Sequence, residues 1–269
     1  MRSAFVSLTL AVLLTATLPA DTSARPLQTV LKSGTLRVGV ALYAPWAART
    51  PSGDLVGFEI DVAKRLAADM GLKVEILSYE SARMITALEG GEIDVIAAGF
   101  AITPERALHV NFSDPYAMSG IALATQIERT SSVKHLADLD DEHYTIAAVA
   151  GSVAAELAKR VLPRAKLRTF ENADAASGAL LAGKVDGYLE DEPVPTFLAL
   201  ENPSTIDLPL GRPLLTSSAG FAVIKGDPDF LAFLNAWIVS REDDTWLPTT
   251  NDYWFKTLRW KDKLDGPHR

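Results

Sequence analysis

Arg106 closes the run Ile102-Thr103-Pro104-Glu105-Arg106, and the three residues before it are the types that begin a helix. Thr103 suits the N-cap, Pro104 the first helical position and Glu105 the first turn. A helix start leaves backbone N–H groups unpaired and favours an anion there. From within that first turn the planar fork of Arg106 can close on a carboxylate. An ordinary capped start with a solvated arginine would use the same four residues, so the chain leading into them has to decide.

That chain, 82–116, reads as helix, tight turn, buried strand and a sharp entry into the second helix. Ile85, Leu88 and Ile93 give the apolar spacing, and Gly90-Gly91 end the first helix. The run 94–98 is apolar enough for a parallel strand covered on both faces. The strand's carboxyl end thus delivers the chain to Arg106. The plan recurs: Leu181-Ala-Gly-Lys-Val-Asp-Gly-Tyr188 echoes Leu88-Glu-Gly-Gly-Glu-Ile-Asp-Val95. Following the echo, a second site residue belongs just after Leu189, and Asp191 stands there, with Glu190 and Glu192 expected to be solvated flanks.

The remaining elements supply the frame. A strand over 34–40 leads to an aromatic loop, Leu42 to Trp46, and a turn over 51–54. A helix over 57–70 carries Phe58, Val62, Leu66 and Met70 on one face, and a strand over 73–77 follows. After an apolar crossover at 121–127 come strands over 144–149, 166–170 and 185–189, with helices at 151–158 and 174–181. The segment 211–219 returns, a strand over 220–225 rejoins the first unit, a helix covers 228–240, and the aromatic tail from Tyr253 to Trp260 is expected to pack. Alternating strands and helices predict parallel sheets wound on both faces. The chain divides into one lobe of 25–124 with 219–269 and another of 125–218. In such sheets ligands bind beyond the carboxyl ends of the strands.

Of the 269 residues, 48% are hydrophobic and 22% charged, a globular composition with core enough for two lobes. A net charge of -8 argues against nucleic acid and anionic membrane as partners. With no cysteine there are no disulfides, no thiol catalysis and no lipid-anchored amino-terminal cysteine. Residues 1–24 read as a cleavable signal peptide: Arg2, an apolar stretch over 4–16 too short to span a bilayer, and Thr22-Ser23-Ala24 before the cut, with Ala20 as a second candidate. The acidic run 138–142 lacks the glycine and terminal glutamate of a calcium loop. His109, His135, His143 and His268 have no metal-ligand spacing, and neither metal nor cofactor is expected. The near P-loop at 178–184 lacks its Ser/Thr and runs from helix to strand.

Gly91-Glu92-Ile93-Asp94, Ile102-Thr103-Pro104-Glu105-Arg106 and Phe112-Ser113-Asp114-Pro115-Tyr116 together resemble the hallmark of the family 3 periplasmic solute-binding proteins, over about 34–258. The resemblance implies a type II, two-lobed α/β fold, two parallel-type sheets with helices on both faces, and a two-strand hinge. It implies a periplasmic monomer without a membrane anchor. Such a protein captures a small amino acid or analogue between its lobes and delivers it to an inner-membrane ABC permease. Arg106 and Asp191 would grip the carboxylate and the ammonium of one zwitterion. By family position, Tyr43 covers the ligand, Trp46 lines its wall, and Gly99 offers a backbone contact. Ala101 stands where a hydroxyl residue is usual. Ser152 and Val153 stand where a threonine pair donates to the carboxylate; Val153 has only its N–H. Arg83 lies one residue before the arginine of an acidic-ligand subgroup. Two alternatives share the fold: a ligand-binding sensor, and a cyclohexadienyl dehydratase. The dehydratase's catalytic glutamate would fall at about Val194, which is no acid, so an enzyme is not expected.

Overall fold

The computed structural model describes residues 24–265. The expected signal peptide lies outside them apart from Ala24. Among the described residues the strands are β1 Thr35–Val40, β2 Ala48–Arg49, β3 Leu55–Val56, β4 Lys73–Ser78, β5 Val95–Ile96, β6 Val110–Gln126, β7 Thr145–Val149, β8 Lys166–Phe170, β9 Gly187–Asp191, β10 Ile206–Asp207 and β11 Leu215–Ile224.

The two halves repeat one plan. In the first, β1 pairs in parallel with β4 and β5; in the second, β7 pairs in parallel with β8 and β9. Two long strands run through both halves. β6 and β11 are antiparallel from Ile121↔Leu215 at one end to Val110↔Ile224 at the other. The return segment and the strand after it, separate in the sequence reading, are therefore one strand. Because both hinge strands are continuous, the ladders of the two lobes merge in the order β4-β1-β5-β11-β6-β9-β7-β8. The register slips between Ala219 and Gly220 and again between Gly220 and Ala222, which bends the ribbon where the lobes meet.

The sequence echo is a structural joint. The helices Met84–Glu89 and Ala173–Leu181 both give way to a left-handed glycine, Gly91 at φ 67° and Gly183 at φ 63°. The next N–H folds back in each case, Glu92 to Ala87 O and Lys184 to Ala179 O, both at 2.9 Å. Asp94 then exchanges backbone and side-chain bonds with Arg37: its N–H donates to Arg37 O at 2.9 Å and its Oδ2 accepts from Arg37 N at 2.8 Å. Asp186 does the same with Thr145, at 2.8 Å and 2.7 Å. A buried aspartate thus pins each new strand to its neighbour.

Helix Phe58–Asp69 buries Phe58, Val62 and Leu66 as their spacing requires. It can start only at glycine: Gly57 has φ 138°, and a Cβ there would lie 2.3 Å from Trp46 O. Phe58, Phe221, Phe230 and Trp254 share one core with Trp260, so the aromatic tail packs as expected. Trp254 and Trp237 donate their indole N–H groups to Asp61 and Asp69, each at 2.8 Å.

Candidate functional site

Thr103 is the N-cap of the short helix Pro104–Ala107, and its Oγ1 accepts from Arg106 N at 3.2 Å. That bond consumes the amide best placed to meet an anion, and four residues make a weak dipole. The side chain of Arg106 is what remains to bind one. Its guanidinium lies 4.0 Å from the centre of the Phe100 ring and donates from Nη1 to Ala101 O at 2.9 Å. Stack and hydrogen bond fix the fork, and burial draws its pKa down while neighbouring Glu105 opposes. Arg106 and Phe100 line a groove of about 620 Å³ with Ser81, Ile85, Thr86 and His109.

The loop before Arg106 is held tightly. Gly99 has φ 58° and donates its N–H to Glu59 Oε1 at 2.6 Å; a Cβ on it would meet the Trp46 ring at 3.0 Å. Ala101 bridges to Ala219 on β11, and Ile102 N donates to Ser218 O at 2.9 Å. Trp46 is placed in the core. It is 6% exposed, edge-on to Phe58 and to Phe255. Arg83 is held by Glu92, at 3.1 and 3.2 Å, and lies over Tyr79, so its charge is already matched at the surface.

In the other lobe Ser152 caps helix Val153–Val161 by accepting from Ala155 N at 3.1 Å, which leaves its hydroxyl hydrogen free to donate. Val153, next along, is exposed. Asp191 ends β9, paired with Ile121 on β6. Its flanks are not solvated. Glu190 is buried and accepts from Tyr188 Oη at 2.7 Å and from Asp191 N at 3.0 Å. Glu192 is half-buried and accepts from Thr196 Oγ1 at 3.0 Å. β9 is covered on both faces up to Asp191, so Glu190 is largely buried and shares Tyr188's face by strand alternation.

The charges report which groups face one another. Burial, then Asp191 and Glu190, push the Tyr43 hydroxyl pKa up, so an aromatic of the first lobe lies within electrostatic reach of the second lobe's acids. Burial and Glu190 push the Asp191 carboxyl up. Arg106 is influenced by Glu105 and Asp191 by Glu190; the two do not pair with each other in this arrangement.

Residues 36–257 match the bacterial extracellular solute-binding proteins, family 3. The chain belongs to that family. The ABC transporter glutamine-binding protein GlnH of Bacillus subtilis is 32% identical over 196 residues, covering 72% of this chain and 70% of GlnH. The cyclohexadienyl dehydratase of Pseudomonas aeruginosa is 24% identical over 252 residues, covering 93% and 92%. Among solved structures, an ancestral cationic amino acid solute-binding protein is 34% identical with a TM-score of 0.74, covering 85% of this chain and 99% of that one.

In this solute-binding protein both sides of the candidate site are moored to one ribbon. Ala101 bridges to Ala219, whose partner on β6 is Ala117, and Asp191 pairs with Ile121 on the same strand. Four residue steps along the strand separate the moorings by roughly 13 Å. A residue absent from the sequence reading is Glu59, fully buried beneath Gly99. Its signal was a charge in the row Glu59, Ala63, Ala67, which the helix turns inward. Among the described residues no group of His, Cys, Asp and Glu is placed to hold a metal, and no helix is long and apolar enough to cross a membrane.

Proposed function

We propose that this solute-binding protein captures one small amino acid or close analogue between its lobes, in the periplasm, and presents it to an ABC permease. The observation that carries the reading is a pair of opposite charges, one on each lobe, without a salt-bridge partner among the described residues. Arg106 is aimed by Phe100 and Ala101 with Glu105 as its acidic neighbour, Asp191 stands at the carboxyl end of β9, and neither forms a salt bridge among the described residues. A zwitterion supplies the two missing partners. The lobes, 25–124 with 219–269 and 125–218, close on it by bending β6 and β11, so binding energy drives closure. Tyr43, Gly99 and the Ser152 hydroxyl complete the contacts. Ala101 and Val153 withhold two hydroxyls, so the carboxylate depends more on Arg106.

Melting temperatures in the presence of L-arginine, L-lysine, L-glutamine, L-glutamate and L-cystine test this. At a hundredfold excess over Kd a true ligand adds about 2.7 kcal/mol of stability. If none of the five shifts the transition, the amino-acid reading fails. Because one relative is a dehydratase, the bound hit is also recovered and analysed. An unchanged amino acid supports a carrier, and a product would make the protein an enzyme.

A further inference from the structure

Glu59 is a carboxylate with no access to water, and only one of its oxygens is satisfied. Oε1 accepts from Gly99 N at 2.6 Å and from Tyr116 Oη at 2.7 Å; Oε2 is buried with no partner among the described residues. Its surroundings tie it to the loop before Arg106. Its own backbone N–H donates to Trp46 O at 2.8 Å, and the Trp46 ring closes against Gly99. Gly99, Trp46 and Glu59 thus form a closed triangle, and Gly99 leads directly to Phe100 and Ala101, the two residues that aim the Arg106 fork.

We propose that Glu59 is a positioning residue for the ligand cleft: its ionised carboxylate, through the Gly99 amide, sets the backbone that orients Arg106. The inference rests on the cleft reading for its consequence in affinity, but the Gly99 contact can be tested without any ligand. An ionised acceptor holds an N–H more strongly than a neutral carbonyl. Protonation would weaken the Gly99 bond and leave an acid hydrogen on Oε2 with nothing to accept it. Among the described residues the only titratable side chain facing Glu59 is Tyr116; the other neighbours, Trp46, Phe58 and the Gly99 backbone, are neutral. The Tyr116 hydroxyl is pushed well above its ordinary range by burial and by Glu59 itself, so it stays a donor. Burial pushes the Glu59 carboxyl up to about 7, against the pull of its two donors. The loop is therefore held firmly above neutrality and loosened below it, and affinity should fall as pH drops.

Backbone amide NMR of the isotope-labelled protein between pH 5.5 and 8.5 reads this directly. The Gly99 amide resonance should titrate with a midpoint near 7 in wild type and stay flat in Glu59→Gln, which keeps the shape and loses the charge. For whichever of the five panel amino acids binds, wild-type affinity should fall by up to about tenfold from pH 8 to pH 6, the effect of a pKa change of about one unit on binding. Glu59→Gln should lose that dependence. A Gly99 amide that does not titrate, or that titrates equally in Glu59→Gln, overturns the proposal, as does an affinity profile shared by both proteins. Should Glu59→Gln not fold, the wild-type titration alone decides. Should no panel amino acid bind, the cleft reading falls and the Gly99 titration still judges the contact.

Discussion

Asp94 and Asp186 occupy the same joint in the two lobes, but two guanidinium groups grip Asp94 and only one reaches Asp186. Arg25 Nε and Arg37 Nη2 both reach Asp94 Oδ1, at 2.8 and 2.7 Å, whereas Asp186 pairs with Arg129 alone. Removing Asp94 leaves two partly buried cations facing each other and unpairs the Arg37 amide. Asp94→Ala should cost about 3–5 kcal/mol. Asp186→Ala, which frees a half-exposed Arg129 and the Thr145 amide, should cost about 2–3 kcal/mol. Urea unfolding of both variants checks the order; equal losses would mean the second arginine adds nothing.

Glu59 and Asp94 should make stability depend on pH in opposite senses. Burial alone would raise the Asp94 carboxyl, but hydrogen bonds from Arg25 and Arg37 outweigh it and hold it low. Its contribution is therefore present above the unfolded carboxylate range and lost as acid titrates the folded protein. Glu59 is raised from 4.5 to about 7, so its folded form prefers the proton. The unfolded chain ionises first as pH rises, and stability declines between those two values. Relative to Glu59→Gln, wild type should lose up to about 3 kcal/mol on going from pH 4.5 to pH 8. Unfolding free energies of the pair at pH 4.5, 6 and 8 measure it. A constant difference would show that Glu59 does not titrate in this range.

The halves of the fold were readable because their joints are local. Gly91, Glu92 and Asp94, like Gly183, Lys184 and Asp186, lie within a few residues of one another, and each turn is closed by a local bond, Glu92 to Ala87 and Lys184 to Ala179, before its aspartate reaches the neighbouring strand. Long-range contacts escaped the sequence. Nothing near Trp46 says that Gly57 and Gly99 will pack so closely against it, with its ring in the core. Nothing near Glu190 says that β9 will be covered on both faces. Arg83 was ambiguous by one position, and Glu92, nine residues on, claims it across a turn. Tyr43 and Asp191 are far apart in the chain, and their mutual influence arises only when the hinge strands set the two lobes face to face.

The carboxylate clamp is tested most sharply at Arg106. Arg106→Ala should leave the fold intact, since the side chain makes one hydrogen bond and one ring contact. It should weaken the panel hit by roughly 3–5 kcal/mol, a few hundred- to a few thousandfold. Arg106→Lys should recover part of that loss, because an ammonium restores the charge without the two-pronged geometry. Isothermal titration of the three proteins settles the matter. Unchanged affinity in Arg106→Ala would remove the arginine from the site.

Two glycines that look alike in sequence should respond oppositely to a methyl group. Gly120 lies on β6 where the lobes join, opposite Thr216, and its carbonyl accepts from Glu192 N at 2.7 Å, one residue beyond Asp191. A Cβ there would lie 2.0 Å from Leu215 O, a backbone atom that can move only if β6 and β11 part. Gly120→Ala should therefore destabilise by about 1–3 kcal/mol and shift the strand end that presents Asp191, lowering affinity for the panel hit as well. Gly178 sits in helix Ala173–Leu181 with nothing within 4 Å of its added Cβ, so Gly178→Ala should stabilise by about 1 kcal/mol and leave affinity alone. Thermal unfolding and titration calorimetry on the two variants separate the effects. If Gly120→Ala binds as wild type does, closure does not pass through this part of the hinge.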